Sequence, residues 1–212
     1  MRLTKLGHSC VRLEKDGAAL LIDPGIWSGD DSLVGASAVL ITHEHVDHLD
    51  PAQVRSAMER DPGLEIWTTG SVADQLAGFG RRVHAVGHGD GFSAAGFDIG
   101  VLGQDHAQIH PDLPVVANIG FTVDGTLFHP GDAFTIPDQQ VRTLLLPISA
   151  PWLKTSEMID YARAVAPAIS YAIHDELLNA NGLLLVEQLA SVLARPGDGS
   201  FVRLDPGASV EI

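Results

Sequence analysis

The chain has 212 residues, 45% of them hydrophobic and 19% charged, an ordinary globular balance with length for one sizeable core and a single domain over residues 1–212. Thirteen lysines and arginines stand against 27 aspartates and glutamates; the formal charge of −14 excludes nucleic acid and anionic membrane as main partners. The one cysteine, Cys10, excludes an internal disulfide and a Cys-built metal site and fits a cytoplasmic location. The opening residues lack the apolar core of a signal peptide, and no run reaches the ~18 apolar residues of a membrane span.

Segments rich in Val, Ile and Leu alternate with helical patterns. Asp16-Gly17, between apolar stretches 10–14 and 19–22, predicts a hairpin. Residues 38–42 form a short apolar run that reads as a buried strand. Asp50-Pro51 has the form of a helix N-cap followed by proline at the first helical position. That helix should end near Arg60, ahead of Asp61-Pro62-Gly63. A strand at 65–69 and a short helix at 71–77 follow. Three strands at 83–86, 91–94 and 97–102 come next, separated by glycine turns. Asp124-Gly125 predicts a second hairpin, joining 115–123 to 126–129. A strand at 144–148 leads to a helix over 156–166, with Thr155 as its cap and Pro167 as its stop. A strand at 168–173 and a helix over 181–194, stopped by Arg195-Pro196-Gly197, come before a closing hairpin of 201–204 with 208–211. Strands outnumber helices, and helices recur between them. The pattern predicts an α/β fold, two sheets with helices on their outer faces.

Residues 42–48 read Thr-His-Glu-His-Val-Asp-His, directly after the apolar run. Four potential metal ligands, His43, His45, Asp47 and His48, fall within six positions. Neutral imidazole is the commonest biological metal ligand, and a nearby carboxylate matches the charge of a dication. A two-residue spacing puts His43 and His45 on one side of an extended segment, while Asp47 and His48 turn elsewhere. One short loop can therefore address two metal positions. The plain alternative is a solvated polar loop, which three histidines and an aspartate just past a buried strand argue against.

A dinuclear site needs more ligands, and three later positions share the same setting, a polar residue just past an apolar strand. They are His106 in Leu102-Gly103-Gln104-Asp105-His106, Asp132 in His129-Pro130-Gly131-Asp132, and His174 in Tyr171-Ala172-Ile173-His174. Five imidazoles and two carboxylates suit zinc, manganese or iron, and are too rich in nitrogen for calcium or magnesium. Each has a rival reading. His110 competes with His106, Pro130-Gly131-Asp132 is also turn chemistry, and Asp175 and Glu176 compete with His174.

With these residues in place, the chain resembles the metallo-β-lactamase superfamily of metal-dependent hydrolases. The H-x-H-x-D-H motif at 43–48, then His106, Gly131-Asp132 and His174, occur in the family's order. The likeness covers nearly the whole chain and implies a four-layer αββα sandwich with the metals at one edge of the two sheets. It implies that His43, His45 and His106 hold a first metal. Asp47, His48 and His174 would hold a second, and Asp132 would bridge them. Leu6-Gly7-His8-Ser9-Cys10, Ile22-Asp23-Pro24 and Leu146-Pro147-Ile148-Ser149 resemble a compact bacterial subgroup that includes ascorbate-6-phosphate lactonase. In that likeness Asp23 is a carboxylate bonded to a ligating imidazole.

The implied chemistry is hydrolysis by two divalent cations, zinc foremost with manganese or iron as alternatives. They share a bridging hydroxide that attacks an ester, lactone or phosphodiester bond in a small molecule. Asp132 and Asp47 carry the catalytic assignment, Asp132 also assisting the proton transfer to the leaving group. His8, His110, Asn118, Trp152 and Lys154 are candidate substrate contacts, and His129 is either a support for a ligand or a core residue. No G-x-S-x-G elbow is present, so a covalent serine mechanism has no support. The alternative outside catalysis is a metal-binding scaffold or sensor on the same fold; assembly into a homo-oligomer is left open.

Overall fold

The computed structural model describes residues 1–194 and 199–212. The chain opens with β1 (Arg2–Gly7), β2 (Cys10–Lys15), β3 (Ala18–Ile22) and β4 (Ala38–Ile41). Next come α1 (Pro51–Arg60), β5 (Glu65–Thr68), α2 (Gly70–Gln75) and β6 (Val83–Ala85). A second run holds β7 (Gly91–Ala94), β8 (Phe97–Leu102), β9 (Gly120–Val123), β10 (Leu127–His129) and β11 (Thr143–Pro147). It continues through α3 (Thr155–Val165), β12 (Ile169–Ile173), α4 (Ala180–Ala190) and β13 (Ser200–Val202), and β14 (Ser209–Glu211) comes last. Among the described residues these strands make two seven-stranded sheets, β14-β1-β2-β3-β4-β5-β6 and β13-β12-β11-β10-β9-β8-β7.

The two sheets face each other across one apolar layer, and each has helices behind it. In β4, Ala38 and Leu40 join the layer between the sheets, while Val39 and Ile41 pack with Val54, Ala57 and Met58 of α1 and Val72 of α2. In β11, Leu145 faces the other sheet, and Leu144 and Leu146 pack with Met158 and Ala162 of α3 and Val186 of α4. Parallel strands covered on both faces need apolar residues at every position, which is why 38–41 and 144–146 read as unbroken runs. The result is the αββα sandwich that the resemblance implied.

Local chemistry sets the boundaries. Asp16 and Gly17, at φ 53° and 83°, form the two-residue turn between β2 and β3. The Asp50 carboxylate accepts from the amides of Ala52 and Gln53, and Pro51 opens α1. Several expectations are corrected. The N-terminal strand β1 had no turn signal to announce it. The second hairpin is shorter than expected, because only Gly120–Val123 pairs as a strand and Ala117 makes an isolated bridge with Asp105. Thr155 lies inside α3, whose N-cap is Lys154 with no side-chain bond. The closing hairpin does not form: β13 runs parallel to β12 in the second sheet, and β14 runs antiparallel to β1 in the first. Proximity in sequence suggested a pairing that the open edges of two different sheets satisfy separately. The stop at Arg195-Pro196-Gly197 lies outside the described residues.

Four strands deliver side chains to one edge. His43 lies just past β4, His106 past β8, Asp132 past β10 and His174 directly after β12. No described helix is long and apolar enough to cross a membrane.

Candidate metal centre

The seven residues singled out by the sequence come together at this edge. Three overlapping groups have ligand atoms all within 4.8 Å of one another. They are His43 with His45 and His106; His43 with His48 and Asp132; and Asp47 with His48, His174 and His8. The Asp132 carboxylate touches both halves. Its Oδ1 lies 3.0 Å from His48 Nε2, and its Oδ2 lies 3.4 Å from His106 Nε2 and 3.1 Å from His174 Nε2. His110 is not part of the cluster; it is exposed and accepts from the Asp112 amide at 3.1 Å.

Outer partners fix which nitrogen carries the proton in four of the imidazoles, whereas His45 Nδ1 lies 3.1 Å from His43 Nε2. His106 Nδ1 donates to the Ala107 carbonyl and His174 Nδ1 to the Ser149 carbonyl, both at 2.5 Å. His48 Nδ1 donates to Asp23 Oδ2 at 2.7 Å. The Thr42 hydroxyl donates to the same oxygen at 2.8 Å, which leaves it to accept from His43 Nδ1 at 3.0 Å. Four rings therefore turn Nε2 inward, and in the neutral ring that nitrogen is bare, the tautomer that a metal ligand needs. The Nε2 atoms of His48, His106 and His174 and Oδ1 of Asp132 are buried in no hydrogen-bonding geometry. Lone pairs facing a carboxylate repel unless a cation lies among them, so the donor set fits a metal.

In metal-free protein, protons supply part of that positive charge. Burial opposes a charge on His48, yet Asp132 and Asp23 hold its pKa well above the usual imidazole value. Burial likewise opposes His174, but Asp132 and Asp47 raise it to about 9. The two carboxylates shift the other way: against burial, His48 holds Asp132 far down, and His174 and His8 hold Asp47 down. Burial and the neighbouring His48 charge push His43 well below its usual value. Burial, then His106, lowers His45.

Several supports were misread or missed in the sequence. Asn118 is fully buried and ties the Asp132 turn: its Oδ1 accepts from the Asp132 amide at 2.9 Å, and its Nδ2 donates to the Pro130 carbonyl at 3.0 Å. A Cβ on Gly131, at φ 63°, would collide with Asn118 Oδ1, so the turn needs glycine. His129 accepts from the Gly131 amide at 3.1 Å and donates to the Ser9 carbonyl at 3.0 Å, bracing the same turn. The Trp152 indole N–H donates to Asp132 Oδ2 at 2.9 Å, touching the carboxylate itself. Asp175 is committed to Lys5 at 2.5 Å, and Lys154 pairs with Glu157 at 2.8 Å in the open. Asp23 plays the part the resemblance gave it. The only signals for Trp152 and Asn118 were their places beside strand ends, which many polar and aromatic residues share.

The profile of a beta-lactamase superfamily domain matches residues 2–174. Protein Rv0786c of Mycobacterium tuberculosis is 41% identical over 184 residues, covering 84% of this chain and 85% of that protein. A UPF0173 metal-dependent hydrolase of Aeropyrum pernix is 26% identical over 204 residues, with 82% of this chain and 81% of that one covered. The solved structure of Igni18, a metallo hydrolase from Ignicoccus hospitalis, shares the fold with a TM-score of 0.76 at 21% identity, covering 99% of this chain and 97% of its own. The matched span runs from β1 to His174 and takes in every strand that delivers a side chain to the cluster. The chain belongs to the metallo-β-lactamase superfamily and is one of its metal-dependent hydrolases.

Proposed function

We propose that the edge site holds two divalent cations, zinc foremost, and cleaves an ester or lactone in a small, largely uncharged molecule. His43, His45 and His106 would hold the first cation, and Asp47, His48 and His174 the second. The carboxylate of Asp132 lies between. The observation that carries this reading is the set of inward Nε2 atoms packed around Asp132, whose carboxylate reaches His106 on one side and His48 and His174 on the other. Bound there, the cations would supply a water ionised near neutral pH and polarise the substrate's carbonyl. The chain's own residues do the orienting. Asp23 and Thr42 aim His48 and His43; the Ala107 and Ser149 carbonyls aim His106 and His174. Trp152 and Asn118 hold the carboxylate and the backbone of Asp132. A leaving group beside Asp132 would find an oxygen able to pass on a proton.

The surroundings favour an uncharged substrate over a phosphorylated one. Val46, between His45 and Asp47, is 55% exposed. Its carbonyl accepts from the amide of Ile26, itself 46% exposed, and the partly exposed Trp27 packs edge-on against His8. Apolar walls beside converging polar groups suit the body of a neutral molecule. Chelator-stripped protein reloaded with zinc or manganese should be assayed against p-nitrophenyl esters, simple lactones and bis-p-nitrophenyl phosphate. Metal-dependent turnover should be greatest on the esters and lactones. Greater turnover on the phosphodiester would overturn the substrate reading. Fully loaded protein inert to the whole panel would favour the scaffold instead.

A further inference from the structure

His8 is a titratable group at the site that lies outside the seven-residue ligand set, and its geometry is specific. It sits in the turn between β1 and β2 at φ 42°, a left-handed backbone conformation that residues other than glycine rarely adopt. It is 1% exposed. Its Nε2 lies 3.2 Å from Asp47 Oδ2, and its Nδ1 accepts from the Glu176 amide at 3.3 Å. Its main-chain carbonyl accepts from the His174 amide at 3.1 Å.

Proximity alone would make His8 a further ligand, since its ring nitrogen shares the 4.8 Å cluster with Asp47, His48 and His174. The Glu176 amide decides otherwise. An amide N–H is always a donor, so the nitrogen facing it must be bare. In a neutral ring the proton then sits on Nε2. A doubly protonated ring would turn a second N–H onto the Glu176 amide, so the same contact excludes it. A protonated Nε2 has no lone pair for a metal, and the atom 3.2 Å away is a carboxylate oxygen that accepts.

We propose that His8 is a positioning residue for the second cation: its Nε2–H holds the Asp47 carboxylate in place, while its carbonyl holds the backbone of His174. The inference rests on the two-cation reading of the site. It makes the His8 residue of the β1–β2 turn a bracket for the second half, while the Ser9 carbonyl of the same turn takes the His129 bond behind Asp132. Asp47 and His174 come from opposite sheets, and His8 is bonded to both. Nearby, Lys5 reinforces the bracket with its buried contacts to Asp175 and the Ala172 carbonyl. His43, His45 and His106 make no hydrogen bond to His8 among the described residues, so the three histidines of the first cation do not depend on its ring.

The test uses the full chain in two forms. In metal-free, 15N-labelled protein, long-range 15N–1H spectra should show His8 as the Nε2–H tautomer, a result that does not depend on how many cations bind. Metal titrations then compare wild type with His8→Gln and His8→Phe. A glutamine amide carries a donor group and an acceptor group and can serve Asp47 and the Glu176 amide together; phenylalanine keeps the ring and loses both. The expected result is a second-cation affinity weakened about 10–100-fold in His8→Phe. His8→Gln should recover most of it, and first-cation affinity should be unchanged in both. An Nδ1–H tautomer, or direct 113Cd–15N coupling to His8 in cadmium-loaded protein, would overturn the proposal. So would equal second-cation affinity in His8→Phe and wild type. Wild type that binds only one cation would instead sink the two-cation reading, leaving the tautomer result standing by itself.

Discussion

Each imidazole of the centre is defined less by its own position than by the acceptor behind it. Asp23 is the plainest case: fully buried at φ 54°, it takes the Thr42 amide, the Thr42 hydroxyl and His48 Nδ1 on two oxygens. Those bonds set two tautomers at once. Charge balance gives a pH signature. His174 binds its proton more tightly in the folded chain, to about 9, than the ordinary value of 6.5. The stability this contributes is complete below 6.5 and is lost as pH rises through 9, and His48 acts in the same direction. Asp47 and Asp132 are ionised in folded and unfolded chains throughout that window, so they leave the slope alone. Burial lowers His8, His43, His45 and His129, so these add stability as the unfolded chain loses their protons, a gain complete by about pH 7.5. The melting temperature of chelator-treated protein should therefore fall between about pH 7.5 and 9, and metal-loaded protein should lack that fall. A flat profile after chelation would contradict the exchange of protons for metal. The residues of the cluster were legible in the sequence because imidazoles and carboxylates just past apolar strands have few other uses. The bonds of Trp152 and Asn118 to Asp132 were not, because nothing in a linear spacing shows which strand ends meet.

Elements with a local cause were the ones that could be read in advance. The Asp50-Pro51 start of α1 and the Asp16-Gly17 turn depend on residues adjacent in sequence, and both formed as expected. Asp50→Ala should cost about 1 kcal/mol by freeing the amides of Ala52 and Gln53. In a chain of this size that lowers the melting temperature by roughly 2–4 °C. Differential scanning calorimetry would show it, and no change would mean that the cap is idle. The misreadings share the opposite property. β1 alternates Leu3, Lys5 and Gly7 on its buried side, and a lysine there hides the apolar period. Lys5 can be buried only because Asp175, far along the chain, neutralises it. The separation of β13 from β14 is likewise a long-range choice between two open sheet edges.

At the scale of the molecule, two sheets meet face to face and turn the ends of their strands toward one rim. The arrangement divides the labour between them. The first sheet brings the 43–48 loop, Asp23 and His8, and the second brings His106, Asp132 and His174. Neither sheet holds a complete site, so binding metal also ties the sheets together, and metal should raise the stability of the whole chain. Anomalous diffraction from crystals of zinc-loaded protein, collected on both sides of the zinc edge, addresses this reading with the fewest assumptions. Two peaks are expected at the rim, one among His43, His45 and His106 and the other among Asp47, His48 and His174, with the Asp132 carboxylate between them. A single peak, or density away from these side chains, would contradict it.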